Sequence, residues 1–148
     1  MLELIRKSYS SEIRDWFEVQ EKNLAFAEVR PEKLAGLLKS LRYDSKVEMK
    51  YLDLFSLTLS ENQFLLRYFL RSDQSGQTSL VIKSSLPFDR EVIVDSAVDL
   101  WPNIAFYEQE YLVLFGIKFK GLAPSKLFSP VLLREFPYAP ESATGGLE

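Results

Sequence analysis

Two glutamates, Glu108 and Glu110, stand two residues apart inside the aromatic-rich run from Trp101 to Phe119. They are the residues whose type and spacing could do chemistry. A pair of carboxylates can divide acid and base roles when both reach one reacting atom, with a tyrosine or lysine as a third group. The chain has little other catalytic vocabulary. It contains no Cys and no His. Iron–sulfur ligation, disulfides, thiolate or imidazole zinc sites and histidine acid–base catalysis are therefore excluded. The only adjacent glycines, Gly145 and Gly146, lie close to the last residue, so no glycine-rich phosphate cradle is present.

Helix geometry separates the two carboxylates. If residues 103–115 are helical, positions two apart point about 160° from each other. One face then collects Ile104, Ala105, Glu108, Tyr111, Leu112 and Phe115, with Glu108 interrupting it halfway. The other carries Phe106, Glu110, Val113 and Leu114. A helix this apolar on both sides is expected to be buried on more than one side. A buried carboxylate needs an Arg, a Lys or a backbone donor, and Lys118, Lys126 and Arg134 are the candidate cations downstream. Ion pairing or exposure is thus the expectation for both glutamates, ahead of catalysis. Gly116 fits the left-handed position that ends a helix, pinned on either side by Phe115 and Ile117.

The elements that must hold this segment are legible in outline. Residues 2–20 read as one or two helical turns and then an amphipathic helix, with Ile13, Trp16 and Phe17 at helical spacing and Ser10 or Ser11 as N-cap. Residues 24–29 alternate as a short strand. Pro31 sits at a favoured first helical position, and Leu34, Leu37, Leu38 and Leu41 form a stripe that predicts a helix to Leu41. Three β-like segments follow, at 47–60 (irregular), 63–71 and 78–84. They are separated by Glu61-Asn62 and by residues 72–77, as in an antiparallel meander. Pro87 and Asp89 end the meander, and residues 91–94 read as a further strand. Ser96 and Asp99 have the form of a capping box, which Pro102 would interrupt. Beyond Gly121, four prolines (Pro124, Pro130, Pro137 and Pro140) and no sustained period predict an extended arm over 121–140. Residues 141–148 read as a disordered tail that could include a cloning scar. The expected architecture is an α/β (α+β) domain over 1–140. An antiparallel sheet of about four strands carries helices packed on it and an extended C-terminal arm.

Composition sets the remaining bounds. At 148 residues, 47% hydrophobic and 26% charged, the chain is of single-domain size with a globular balance. Its net charge of −3 and scattered cations form no basic stripe, so nucleic acid is not an expected partner. Runs free of charge, such as 111–117, are too short to span a bilayer. Glu3 and Arg6 interrupt the N-terminal apolar residues, which argues against a signal peptide. Eleven Phe and seven Tyr are more aromatic surface than a core of this size demands, and part of it is expected on a partner-facing surface near Phe106 and the arm.

The order Trp-Pro, Tyr-Glu-x-Glu, Phe-Gly-Ile-x-Phe resembles the signature of the 30 kDa-type subunit of respiratory NADH:quinone oxidoreductase (complex I). Trp101, Pro102, Tyr107, Glu108, Glu110, Phe115, Gly116, Ile117, Phe119 and Gly121 match that signature in place. Residues 131–137, with Arg134 and Phe136, stand where the family has Pro-Leu-Arg-Lys-Asp-Phe-Pro. With the preceding strand layout, the resemblance covers about residues 24–137. Gln109 replaces the family's Arg, Val113 its Asp, Leu122-Ala123 its His-Pro, and Lys126-Leu127 a usual pair of arginines. The apolar frame is kept while charged positions are lost, a change that spares packing more than docking.

The resemblance implies a noncatalytic subunit of the peripheral arm, with no catalytic residues and no cofactor or metal of its own. Its partners would be the quinone-site large subunit and the iron–sulfur subunits. It would reach the membrane only through the complex, at the cytoplasmic side of the cell membrane. The same module occurs in membrane-bound hydrogenase and formate hydrogenlyase assemblies, which the altered charges leave open as an alternative.

Overall fold

In the computed structural model the described residues are 1–74, 76–88 and 91–123, and the chain groups into two compact units. The first unit is Met1–Thr58 with Leu65–Ser85; the second is Leu59–Phe64 with Leu86–Glu148.

The first unit opens with helix α1 (Leu2–Ser8), which buries Leu2 and Ile5. Strand β1 (Ile13–Val19) follows, where the helical spacing of Ile13, Trp16 and Phe17 predicts an amphipathic helix. The same segment is equally at home as a strand, and pairing decides between the two. β1 lies antiparallel to β2 (Leu24–Val29), with Trp16 opposite Ala27 and Phe17 opposite Phe26. β-branched and aromatic side chains fit that pleated surface well. Ser10 and Ser11 cap no helix; Ser11 Oγ donates instead to the neighbouring Glu12 carboxylate at 2.7 Å. A short 3-10 turn, Gln20–Lys22, joins the two strands. It ends on Asn23 in the left-handed region (φ 48°), a conformation Asn tolerates better than most residues.

Helix α2 (Pro31–Tyr43) has Pro at its first position and buries Leu34, Leu37, Leu38 and Leu41, the predicted stripe. The chain then forms β3 (Tyr51–Ser60), a two-residue turn, β4 (Gln63–Ser72) and β5 (Thr78–Pro87). The strand order is β1-β2-β5-β4-β3. The expected α/β class is what the chain adopts. The sheet has five strands because β1 joins it, and it is mixed, because β2 and β5 run parallel. A parallel pair needs a long crossover, and α2 with the β3–β4 hairpin supplies it. Asn23 fastens the junction: its Nδ2 donates to Gln77 O at 2.9 Å and to Thr78 Oγ1 at 2.8 Å.

Alternate residues of β2 (Ala25, Ala27, Val29) and of β4 (Leu66, Tyr68, Leu70) are buried, as are the α2 leucines. Each fully buried leucine contributes about 1.5–3 kcal/mol. Two buried serines are satisfied by backbone: Ser72 Oγ donates to Val47 O at 2.7 Å and Ser84 Oγ to Val29 O at 2.9 Å. The Tyr9 hydroxyl donates to Asp44 Oδ2 at 2.7 Å, tying the end of α1 to the end of α2. Burial and that carboxylate both push the Tyr9 pKa up.

In the second unit, β6 (Ile93–Asp95) and β7 (Lys118–Lys120) form a two-stranded parallel sheet, with Val94 opposite Phe119. Helix α3 (Ile104–Phe115) connects them. The strand expected at 91–94 is present as β6, which starts at Ile93 and ends at Asp95. No helix of the described residues is long and apolar enough to cross a membrane. The predicted arm beyond residue 123 and the tail, with Lys126, Arg134 and Phe136, lie outside the described residues.

Candidate functional site

The signature segment forms the interior of the second unit. Trp101 is 2% exposed, Ile104 and Ile117 are fully buried, and Phe119 is 6% exposed. Ser96 opens only a single turn before the break expected at Pro102. Its Oγ accepts the Val98 N–H at 3.2 Å, and Trp101 N donates to Ala97 O at 2.9 Å, closing a single turn. Pro102 explains the stop: the residue before a proline is pushed out of the helical region, and proline brings no N–H. The helix restarts only at Ile104.

Glu108 projects inward from α3 and is fully buried. It has no cationic partner among the described residues; of the partners expected for a buried glutamate (Arg, Lys or a backbone donor), the backbone donor is the one present. Lys118 pairs with Glu91 instead. Two polar groups of the turn meet the Glu108 carboxyl: Ser96 Oγ at 2.5 Å from Oε1 and the Ala97 N–H at 3.2 Å from Oε2. Burial pushes its pKa up to about 7, against the opposing pull of those two hydrogen bonds. Serine suits this place because its hydroxyl serves both protonation states. It donates to the carboxylate, and it accepts from the neutral acid. Ser96 is the functional partner that sequence reasoning misses. The available signal is a buried acid with no cation at helical spacing, which calls for short neutral donors on a neighbouring turn.

Glu110 points outward and is exposed, as are Phe106 at 64% and Ile93 at 57%. One glutamate in and one out cannot converge on a reacting atom, so they form no acid–base pair. Tyr107 is half-buried. Phe115 is half-buried too, not fully buried, and packs edge-on against Phe64 with ring centroids 5.7 Å apart. No group of three or more metal-ligating side chains stands together among the described residues.

Gly116 terminates α3 in the left-handed region at φ 72°, and its N–H donates to Leu112 O at 3.0 Å. A β-branched side chain is strained there. Gly116→Val is expected to lower stability by about 1–3 kcal/mol, read as a fall in melting temperature.

A Trp-Pro turn with its tryptophan buried, an inward glutamate and a glycine-stopped helix thus make one structural unit, and all three fall inside a match to a known family. The family model described as the respiratory-chain NADH dehydrogenase 30 kDa subunit matches residues 27–141. The chain belongs to that family. Two solved structures share the fold of this 30 kDa-type subunit. One is Nqo5, as its trypsin-resistant fragment 1–134, at 15% identity and TM-score 0.64, covering 84% of this chain and 98% of that one. The other belongs to an archaeal respiratory membrane complex, the membrane-bound sulfane sulfur reductase, at 18% identity and TM-score 0.67, covering 88% of this chain and 77% of that one. No curated protein sequence matches. Family membership makes the chain a peripheral subunit of a multi-subunit respiratory complex.

Proposed function

We propose that this 30 kDa-type subunit is a noncatalytic part of the peripheral arm of an NADH:quinone oxidoreductase. In that role it holds the quinone-site large subunit and the iron–sulfur subunits together at the cytoplasmic side of the cell membrane. The observation that carries this reading is the inward position of Glu108 beside the outward position of Glu110. One signature carboxylate holds the unit and the other faces outward, so neither serves a shared site. The exposed Phe106 and Ile93 offer apolar surface of the kind interface cores use. Affinity purification of the tagged chain from its native host is expected to recover the quinone-site and iron–sulfur subunits. Recovery of a free monomer would refute the reading.

The loss of charged signature positions at Gln109, Val113 and Leu122-Ala123 supports a second reading, membership of a hydrogenase- or formate hydrogenlyase-type complex. Nickel–iron hydrogenase subunits in the same purification, in place of NADH-oxidising ones, would establish it.

A further inference from the structure

β1 is an edge strand of the five-stranded sheet, and its outward row carries two features that the fold itself does not require. Phe17 and Phe26 are register partners across β1 and β2, with ring centroids 6.3 Å apart, and Phe17 is 64% exposed. Two residues along, Asp15 and Glu28 are also register partners, so side chains of this row place two carboxylates opposite each other on the same face. Like charges directly opposite destabilise a strand pair. Lys83 lies across from Glu28 on β5, one cation for two acids, and none of the three forms an ion pair among the described residues. Asp15, Glu28, Lys83 and the two phenylalanines line one shallow depression.

We propose that this depression docks an arginine side chain from another polypeptide. A guanidinium is planar and stacks on an aromatic face while its fork pairs with carboxylates. It matches both halves of the site, the ring pair with Phe17 exposed and the two acids, of which Asp15 accepts only the Trp16 N–H at 2.9 Å and neither has an ion-pair partner among the described residues. Lysine, a compact and strongly hydrated charge, matches only the second half. The occupant is therefore an arginine flanked by apolar residues on a partner subunit. This rests on the docking role proposed above for the partner's identity, though not for its chemistry.

The test is cross-linking in living cells with the full chain bearing Phe17→benzoylphenylalanine, followed by mass spectrometry of the linked peptide. The expected product is a peptide of a different polypeptide that contains arginine beside apolar residues. Adding Asp15→Asn and Glu28→Gln should lower its yield about tenfold, the loss equivalent to one charge-assisted hydrogen bond. Asp15→Glu should retain it, and an unchanged melting temperature checks that the variants fold. Links to this chain's own residues, to a second copy, to lipid or to an arginine-free peptide would overturn the proposal. So would absence of a link, or a yield indifferent to the two acids. A charge-dependent link to a polypeptide outside any respiratory complex would keep the docking site and refute the functional reading. Co-purification with respiratory subunits without a link at position 17 would do the reverse.

Discussion

Glu108→Gln is expected to flatten the pH dependence of stability between pH 5 and pH 8. The folded chain holds the Glu108 pKa at about 7, above the ordinary 4.5, because burial disfavours the charged form. A carboxyl with a raised pKa binds its proton more tightly in the folded state. The contribution of Glu108 to stability is therefore fully present below about pH 4.5 and is lost as pH rises through 7. For this group the full swing is roughly 3 kcal/mol. Glutamine keeps the shape, accepts from the Ala97 N–H and donates to Ser96 Oγ, so it mimics the neutral acid at every pH. Urea unfolding should show the variant gaining on the wild type as pH rises, with roughly 2–3 kcal/mol more advantage at pH 8 than at pH 5. An advantage that does not change with pH would mean that Glu108 is already ionised at pH 5, or paired with a cation.

Trp101→Ala is expected to cost about 3–5 kcal/mol, the range for removing a large buried aromatic. Trp101 is 2% exposed and stands where the turn of Ser96 and Ala97 hands over to Pro102, with Ile104 N donating to its carbonyl at 2.9 Å. Its loss opens a cavity in the second unit, whose strands β6 and β7 have three residues each. A small unit of this kind has little reserve. Denaturant titration should show the midpoint falling sharply, and Trp101→Phe should recover a substantial part of it. A loss below about 1 kcal/mol would mean that the ring does not hold the unit.

The elements that read correctly from sequence are those in which local signals agree. In α2 a proline start, a leucine stripe and helix length coincide. In α3 the apolar run ends at a glycine whose φ is positive. β1 misleads because Ile13, Trp16 and Phe17 sit at helical spacing while their side-chain types favour a strand. Only pairing with β2, as of Trp16 with Ala27, chooses between the two. The capping-box form at Ser96 is real hydrogen-bonding chemistry with a second partner. Its hydroxyl accepts the Val98 N–H of its own turn and also serves Glu108, twelve residues on. The separation of Glu108 from Glu110 is legible because it follows from helix pitch alone. The neutral surroundings of Glu108 are not, because they depend on how a turn folds back over α3.

The claim that the signature carboxylates hold structure and perform no chemistry is tested most directly by complementation. A host lacking this subunit is supplied with the chain carrying both Glu108→Gln and Glu110→Gln, and NADH:quinone activity is measured per assembled complex. We predict wild-type activity per complex, with any shortfall confined to the amount assembled. A complex assembled in normal amount but inactive would contradict the account and return the two glutamates to catalysis.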